Sequence, residues 1–238
     1  MAWLLAAALA ASACDWMPGR PNEADRPRNP DEITDFPTLY AKNCAGCHGT
    51  EGESGPAREF ASPLFQAFIP DTVLRRVIRE GIAGTAMPSF SKSEGGTLTD
   101  VQVEAIATGM RQRWARGLHA SGGTPPPYSE ADARAAGQAP ASSARGGEAF
   151  RRACGSCHGP DGRGGKDGGS VVDASFLGLV SDQMLRTSVV CGRPDLGMPD
   201  WRESSSEHRL SLQEISDVVS WLRSHGFKDL EPARGASE

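Results

Sequence analysis

The sequence predicts an all-α protein made of two tandem, similar halves, and three observations carry that prediction. The pattern Cys-x-x-Cys-His occurs twice, at Cys44–His48 and at Cys154–His158. Each copy is followed, after a loop and a further helix, by an amphipathic closing helix that opens with a capping box. A Met-Pro pair stands at nearly the same distance beyond each His, 39 residues from His48 to Met87 and 40 from His158 to Met198.

Composition agrees with two small units. The 238-residue chain is 38% hydrophobic and holds 28 Gly and 17 Pro, which suits compact halves with irregular walls better than one deep core. A formal net charge of −5 and the lack of any Lys/Arg run argue against nucleic acid as a partner.

The N-terminus reads as an export segment. Residues 1–13 form a signal peptide, because the largely apolar stretch Ala2–Ala13 is far short of the ~20 residues that span a bilayer as a helix. The usual basic residues ahead of that stretch are missing, which leaves room for a start further upstream. The tail AASA-Cys14 resembles a bacterial lipoprotein cleavage box, with Ala11 where such boxes usually carry Leu. The resemblance implies that Cys14 becomes a lipidated N-terminus; a plain cleaved signal with an incidental cysteine is the alternative. Residues 14–34, polar and Pro-rich, then read as a flexible tether.

The two Cys-x-x-Cys-His copies are the attachment pattern of c-type haem. Two thiols three residues apart on one helical turn can reach both vinyl groups of one porphyrin, and the next residue then projects its imidazole at the iron. A redox disulfide has no use for the following His, and a shared zinc site lacks a second pair of ligands. Two covalently bound haem c groups are therefore expected, attached at Cys44, Cys47, Cys154 and Cys157, with His48 and His158 as axial ligands of the iron.

The elements around them repeat. Tyr40 lies four residues before Cys44, as Phe150 lies four before Cys154, placing an aromatic on the same face of a short helix as the first thiol. Asp71 as N-cap and Gly81 as stop bound a helix with Val73, Leu74, Val77 and Ile78 on one face, and its counterpart begins at Ser181. The closing helices open with the boxes Thr99-x-x-Gln102 and Ser211-x-x-Glu214. Their apolar stripes are Val103, Ile106, Ala107, Met110 and Ile215, Val218, Val219, Leu222.

This order resembles the class I cytochrome c fold, and two copies resemble the dihaem cytochromes c of bacterial electron-transfer chains. The resemblance implies cytochrome c domains at 35–118 and 145–228, joined by a linker at 119–144 and followed by a tail at 229–238. The linker is rich in Pro, Gly, Ala and Ser and is expected to be extended or mobile unless it packs along the domains. One departure is visible. Trp221 stands where the family usually places an aromatic against the first helix, but its counterpart is Gly109. The first half is expected to be the less stable, since no ring would fill that contact and an interior helical Gly costs about 1 kcal/mol relative to Ala.

Aligning Met87 with Met198 also aligns Pro88 with Pro199, Phe90 with Trp201 and Gly81 with Gly192, while Cys191 falls on Glu80. A function common to both halves cannot rest on a position that is Glu in one of them. Met87 and Met198 are thus expected as the second axial ligands, with Pro stiffening the loop behind each thioether. Cys191 is expected to be a small buried hydrophobe, and the alternative is a thiolate ligand of the second iron. Met110 and Met184 read as core. His119, His208 and His225 read as surface residues, with substitute ligation as the alternative. The glycine-rich run Gly162–Ser170 reads as a flexible rim of the haem pocket.

Two six-coordinate haems leave no open metal position, which favours electron transfer over catalysis. The expected role is a periplasmic-side relay, lipid-anchored to the outer face of the cytoplasmic membrane and passing electrons between redox partner proteins. Such partners include the integral membrane subunits of a quinol-oxidising or oxidase complex in a respiratory or photosynthetic chain. The alternative is a dihaem oxidoreductase, such as a thiosulfate-oxidising or peroxide-reducing enzyme, for which Cys191 is the one hint.

Overall fold

The structure is a computed structural model, and it describes residues 27–115, 124–202 and 209–225. By chain contact residues 1–33 separate from residues 34–238. Within the first unit the described part is a single 3-10 turn, Pro30–Glu32, whose Asn29 side chain accepts from the Asp31 amide at 3.1 Å. The second unit contains both halves, and among its described residues there are helices, turns and two isolated bridges but no strand.

In the first half α1 (Phe36–Asn43) leads into the short α2 (Ala45–His48), followed by α3 (Pro63–Phe68), α4 (Asp71–Glu80) and the closing helix α5 (Asp100–Trp114). Helix α6 (Glu130–Ala135) lies in the linker. The second half repeats the order with α7 (Ser143–Ala153), α8 (Gly155–His158), α9 (Ala174–Leu179), α10 (Asp182–Cys191) and α11 (Leu212–Ser224). Starts are set by side chains: Asp35 accepts from the Thr38 amide at 3.0 Å, and the capping boxes at Thr99/Gln102 and Ser211/Glu214 both form. Asp71 stands one position inside its helix rather than at the cap, which is Pro70.

The closing helix organises each half. Helix α5 packs on α1, α3 and α4, and α11 packs on α7 and α10. The faces buried are those of the sequence stripes: Val103, Ile106, Ala107 and Met110 in one, Ile215, Val218 and Leu222 in the other. A repeated arginine that residue patterns do not announce ties the layers together. Arg111 donates to Asp71 at 2.8 Å and to the carbonyl of Ile69 at 2.5 Å. Arg223 donates to Asp182 at 2.6 Å and to the carbonyl of Val180 at 2.7 Å. Each caps the carbonyl end of one helix and the acidic start of the next.

The expectation that no ring fills the first half's closing contact is overturned. Phe36, on α1, lies against Gly109, where an added Cβ would stand 2.2 Å from the Phe36 ring. Trp114 then packs edge-on against both Phe36 and Tyr40, at 5.7 and 5.1 Å between centroids. In the second half the pair is exchanged. Trp221 supplies the ring from the closing helix, 4.2 Å from Phe150, and the pair Gly146 and Gly147 supplies the space on the first helix, Gly146 against the Asp217 carbonyl and the Trp221 Cβ and Gly147 against the indole ring. Tyr40 aligns with Phe150, so Phe36 aligns with Gly146: the two halves fill one crossing from opposite sides.

The described part of the linker is packed rather than mobile. Arg186, 2% exposed, donates to the Pro127 carbonyl at 3.1 and 3.0 Å, and Gln183 donates to the Tyr128 carbonyl at 2.8 Å. The Tyr128 ring reaches Phe68 of the first half at 5.4 Å. No helix among the described residues is long and apolar enough to cross a membrane. Cys14, His119 and His208 lie outside the described residues.

Candidate haem sites

The two Cys-x-x-Cys-His turns have the same backbone. Cys44 and Cys154 donate their amides back to Tyr40 and Phe150 at 2.8 Å, and the amides of His48 and His158 return to Cys44 and Cys154 at 3.0 Å. The chain then leaves each turn through a left-handed glycine, Gly49 at φ +78° and Gly159 at φ +76°. A side chain would strain that conformation.

Each histidine ring is held by a main-chain carbonyl. His48 Nδ1 lies 2.7 Å from the carbonyl of Arg58, and His158 Nδ1 lies 2.8 Å from that of Gly169. A carbonyl can only accept, so Nδ1 carries a proton, and in the neutral ring Nε2 is then the nitrogen that presents its lone pair. Such a hydrogen bond orients a ligating imidazole and raises its basicity. His48 is also stacked on Phe60 at 3.9 Å, and burial lowers its pKa, which favours the neutral ring. The run Gly162–Ser170 is therefore a built anchor rather than a loose rim. Gly165 and Gly168 close it with a 2.9 Å bond, and a Cβ on Gly168 would sit 2.7 Å from His158 Nδ1.

The first thiol of each pair is buried. Burial, and then the neighbouring Cys47, push Cys44 up to about 12; burial and Cys157 push Cys154 up to about 11. An attacking redox thiol needs the opposite shift. Among the described residues no cluster of three or more His, Cys, Asp or Glu could hold a metal ion.

The methionine loops are matched as well. Met87 and Met198 are both half-buried and follow α4 and α10. Gly81 and Gly192 stop those helices, and a Cβ on either would fall 2.5 Å from the carbonyl oxygen of its Met. Ile82 donates to the Met87 carbonyl at 3.0 Å, as Arg193 does to that of Met198 at 2.9 Å. The amides of Phe90 and Trp201 tie the far ends of the loops to Arg79 and Val190, each at 3.2 Å. The loops differ inside: Met198 also donates to the Arg193 carbonyl at 3.0 Å, whereas the Met87 amide is held by the Thr85 hydroxyl at 3.2 Å.

Of the remaining candidates, Cys191 is 2% exposed at the end of α10, and burial pushes its thiol up to about 12. Met110 is core at 1% exposed, but Met184 is only half-buried. His225 is exposed, its ring edge on Trp221 at 4.4 Å and its Nδ1 2.8 Å from the Trp221 carbonyl.

One orphaned donor tests whether a porphyrin suits the second site. The indole N–H of Trp201, three residues past Met198, is buried and meets no acceptor among the described residues. Buried donors need partners, and a haem carboxylate is an acceptor of the right kind; Phe90, at the aligned position, offers no such donor. The donor set of thiols, imidazole and thioether also fits iron porphyrin.

No curated protein matches the chain. Residues 31–108 and 141–222 each match the family described as cytochrome c oxidase, cbb3-type, subunit III. The chain belongs to that family: it is a haem electron-transfer protein of two tandem cytochrome c domains, carrying two covalently bound haem c groups.

Proposed function

We propose that the chain is an electron relay of a membrane-bound respiratory or photosynthetic complex of the quinol-oxidising or oxidase type, working on the periplasmic side. The observation that carries the reading is a repeat: in each half a carbonyl-held histidine, His48 or His158, is followed in the chain by a tied methionine loop, that of Met87 or Met198. In this reading Cys44, Cys47, Cys154 and Cys157 would hold the two haems as thioethers, and His48, Met87, His158 and Met198 would ligate the irons. The domains run over 35–118 and 145–228.

Haem iron supplies reversible one-electron chemistry between its ferric and ferrous states. The protein's part is to hold it still and set its potential. His48 and His158 are fixed in the tautomer that offers Nε2. Met87 and Met198 present a soft neutral sulfur, which favours ferrous iron and raises the potential. Held by these residues, each haem would supply electron transfer from a reduced partner to an oxidised one, with no group transferred. The rival reading, a dihaem oxidoreductase, would draw on a Cys191 thiolate; Cys191 is buried at the end of α10, and the aligned position in the first half is Glu80, so the two sites do not share it.

The first test is stoichiometry. Acid–acetone extraction is expected to leave two haems on each polypeptide, with a pyridine haemochrome spectrum of two thioethers per haem. One haem, or extractable haem, would remove the assignment.

The membrane attachment in this proposal runs through a diacylated Cys14. Wild-type protein is then expected in the detergent phase, and Cys14→Ala should yield a soluble, haem-loaded product. Recovery of wild type as a soluble protein without acyl mass would dispose of the anchor and leave the relay standing.

A further inference from the structure

The two haem sites are joined by side chains that the relay assignment does not use. The carbonyl of Arg58 accepts the His48 Nδ1–H at 2.7 Å. The guanidinium of the same residue crosses into the second half, where it donates to the Gly192 carbonyl and to the Ser188 hydroxyl, each at 2.5 Å. Gly192 ends α10 and abuts the Met198 carbonyl. The next residue, Arg193, is bridged to Met198 by backbone bonds in both directions, at 2.9 and 3.0 Å.

A second strand of contacts runs the other way. Arg193 reaches the Gly55 carbonyl of the first half at 3.3 Å and holds Asp195 through two bonds of 2.8 Å. The Asp195 side chain, 2% exposed, faces the buried Glu59, the residue after Arg58. Helix α3 of the first half also packs on α10.

We infer that Arg58 is a positioning residue that couples the two haem sites: its backbone orients the histidine of the first and its guanidinium braces the methionine loop of the second. The inference rests on His48 and Met198 being iron ligands. It explains why a charged fork is placed between two neutral acceptors, since a planar guanidinium can hold a helix-end carbonyl and a hydroxyl in one geometry. A change in how the loop presents the Met198 sulfur alters the iron–sulfur bond, and axial ligation sets haem potential. Arg58 can therefore act on an iron whose ligand lies 140 positions away in the chain.

The test uses full-length holo-protein carrying Arg58→Leu, Arg58→Lys or Arg186→Leu, with haem content measured first. A redox titration resolved by haem, and the ferric methionine-sulfur band of each haem, are the readouts. Arg58→Leu is expected to shift the potential of the second haem and weaken the Met198 band while the first haem keeps its ligands. Arg58→Lys, which keeps a charged donor without the fork, should restore part of both. Arg186→Leu removes another buried arginine of the second half, one tied to the linker, and should move neither. An unchanged second haem in Arg58→Leu, or an equal shift in Arg186→Leu, overturns the coupling. Should Arg58→Leu fail to accumulate, Ser188→Ala is read instead: a smaller shift of the same sign is expected, and an unchanged potential overturns the inference. Met198→Ala run in parallel separates the two assignments. If its band persists, the ligand assignment has failed; if its band is lost while Arg58→Leu resembles wild type, the ligand stands and the coupling does not.

Discussion

Met198→Ala is expected to abolish the ferric methionine-sulfur absorption band of the second haem and to lower that haem's potential. The drop should be on the order of a hundred millivolts, a fraction of the ~0.8 V that axial ligand identity spans. Its cause is the exchange of a soft sulfur that favours ferrous iron for water or a stray imidazole. The opened position should also let carbon monoxide bind the reduced protein. Met87→Ala should do the same at the first haem, because the two loops share their glycine stop and backbone ties. Cys191→Ser is the contrast. It lies at the same helix end and is 2% exposed, yet it should leave band and potential alone and cost only the burial of a hydroxyl, about 1–3 kcal/mol. Should Cys191→Ser move the potential while Met198→Ala does not, the thiolate is the ligand and the enzyme reading takes the carrier's place.

The second large effect is a stability change whose sign differs from helix propensity. Gly109→Ala in α5 would gain about 1 kcal/mol by propensity alone. Its new Cβ would stand 2.2 Å from the Phe36 ring, and overpacking of this kind costs about 1–3 kcal/mol or more. Sterics win, so guanidinium unfolding should show a net loss for Gly109→Ala. In a Phe36→Ala background the obstruction is gone, and the same substitution should become stabilising; contacting residues couple by about 0.5–3 kcal/mol. Gly146→Ala in the second half should be worse than either, since its Cβ would meet the Asp217 carbonyl oxygen at 1.9 Å. Backbone cannot step aside as a ring can. If Gly109→Ala stabilises the protein with Phe36 in place, the exchange of ring and glycine between the halves has no energetic content.

What could be read from residues alone was whatever is coded over one or two helical turns. The thiols and imidazole of Cys44–His48 and Cys154–His158 are fixed by chemistry at a spacing, and the capping boxes at Thr99 and Ser211 by a polar pair three residues apart. The stripes of α5 and α11 follow from a 3.6-residue period, and repetition singled out Met87 and Met198 where one copy would have been ambiguous. The cytochrome c family match was legible at the same level.

Only the tertiary structure decided the rest. The groups that hold His48 and His158 are main-chain carbonyls of Arg58 and Gly169, and a carbonyl leaves no mark in residue type. Gly168 carries a faint one, as a residue too close to a ring for any side chain. The exchange of Phe36 and Gly109 for Gly146 and Trp221 was invisible because Gly109 looked defective by itself; its complement, Phe36, sits on another helix some seventy residues away. Nothing in the sequence singles out Arg58, because its acceptors, Gly192 and Ser188, lie in the other half. Local order is written in short-range spacing, whereas the fit between elements distant in the chain depends on which faces meet, and that is settled only when the chain has folded.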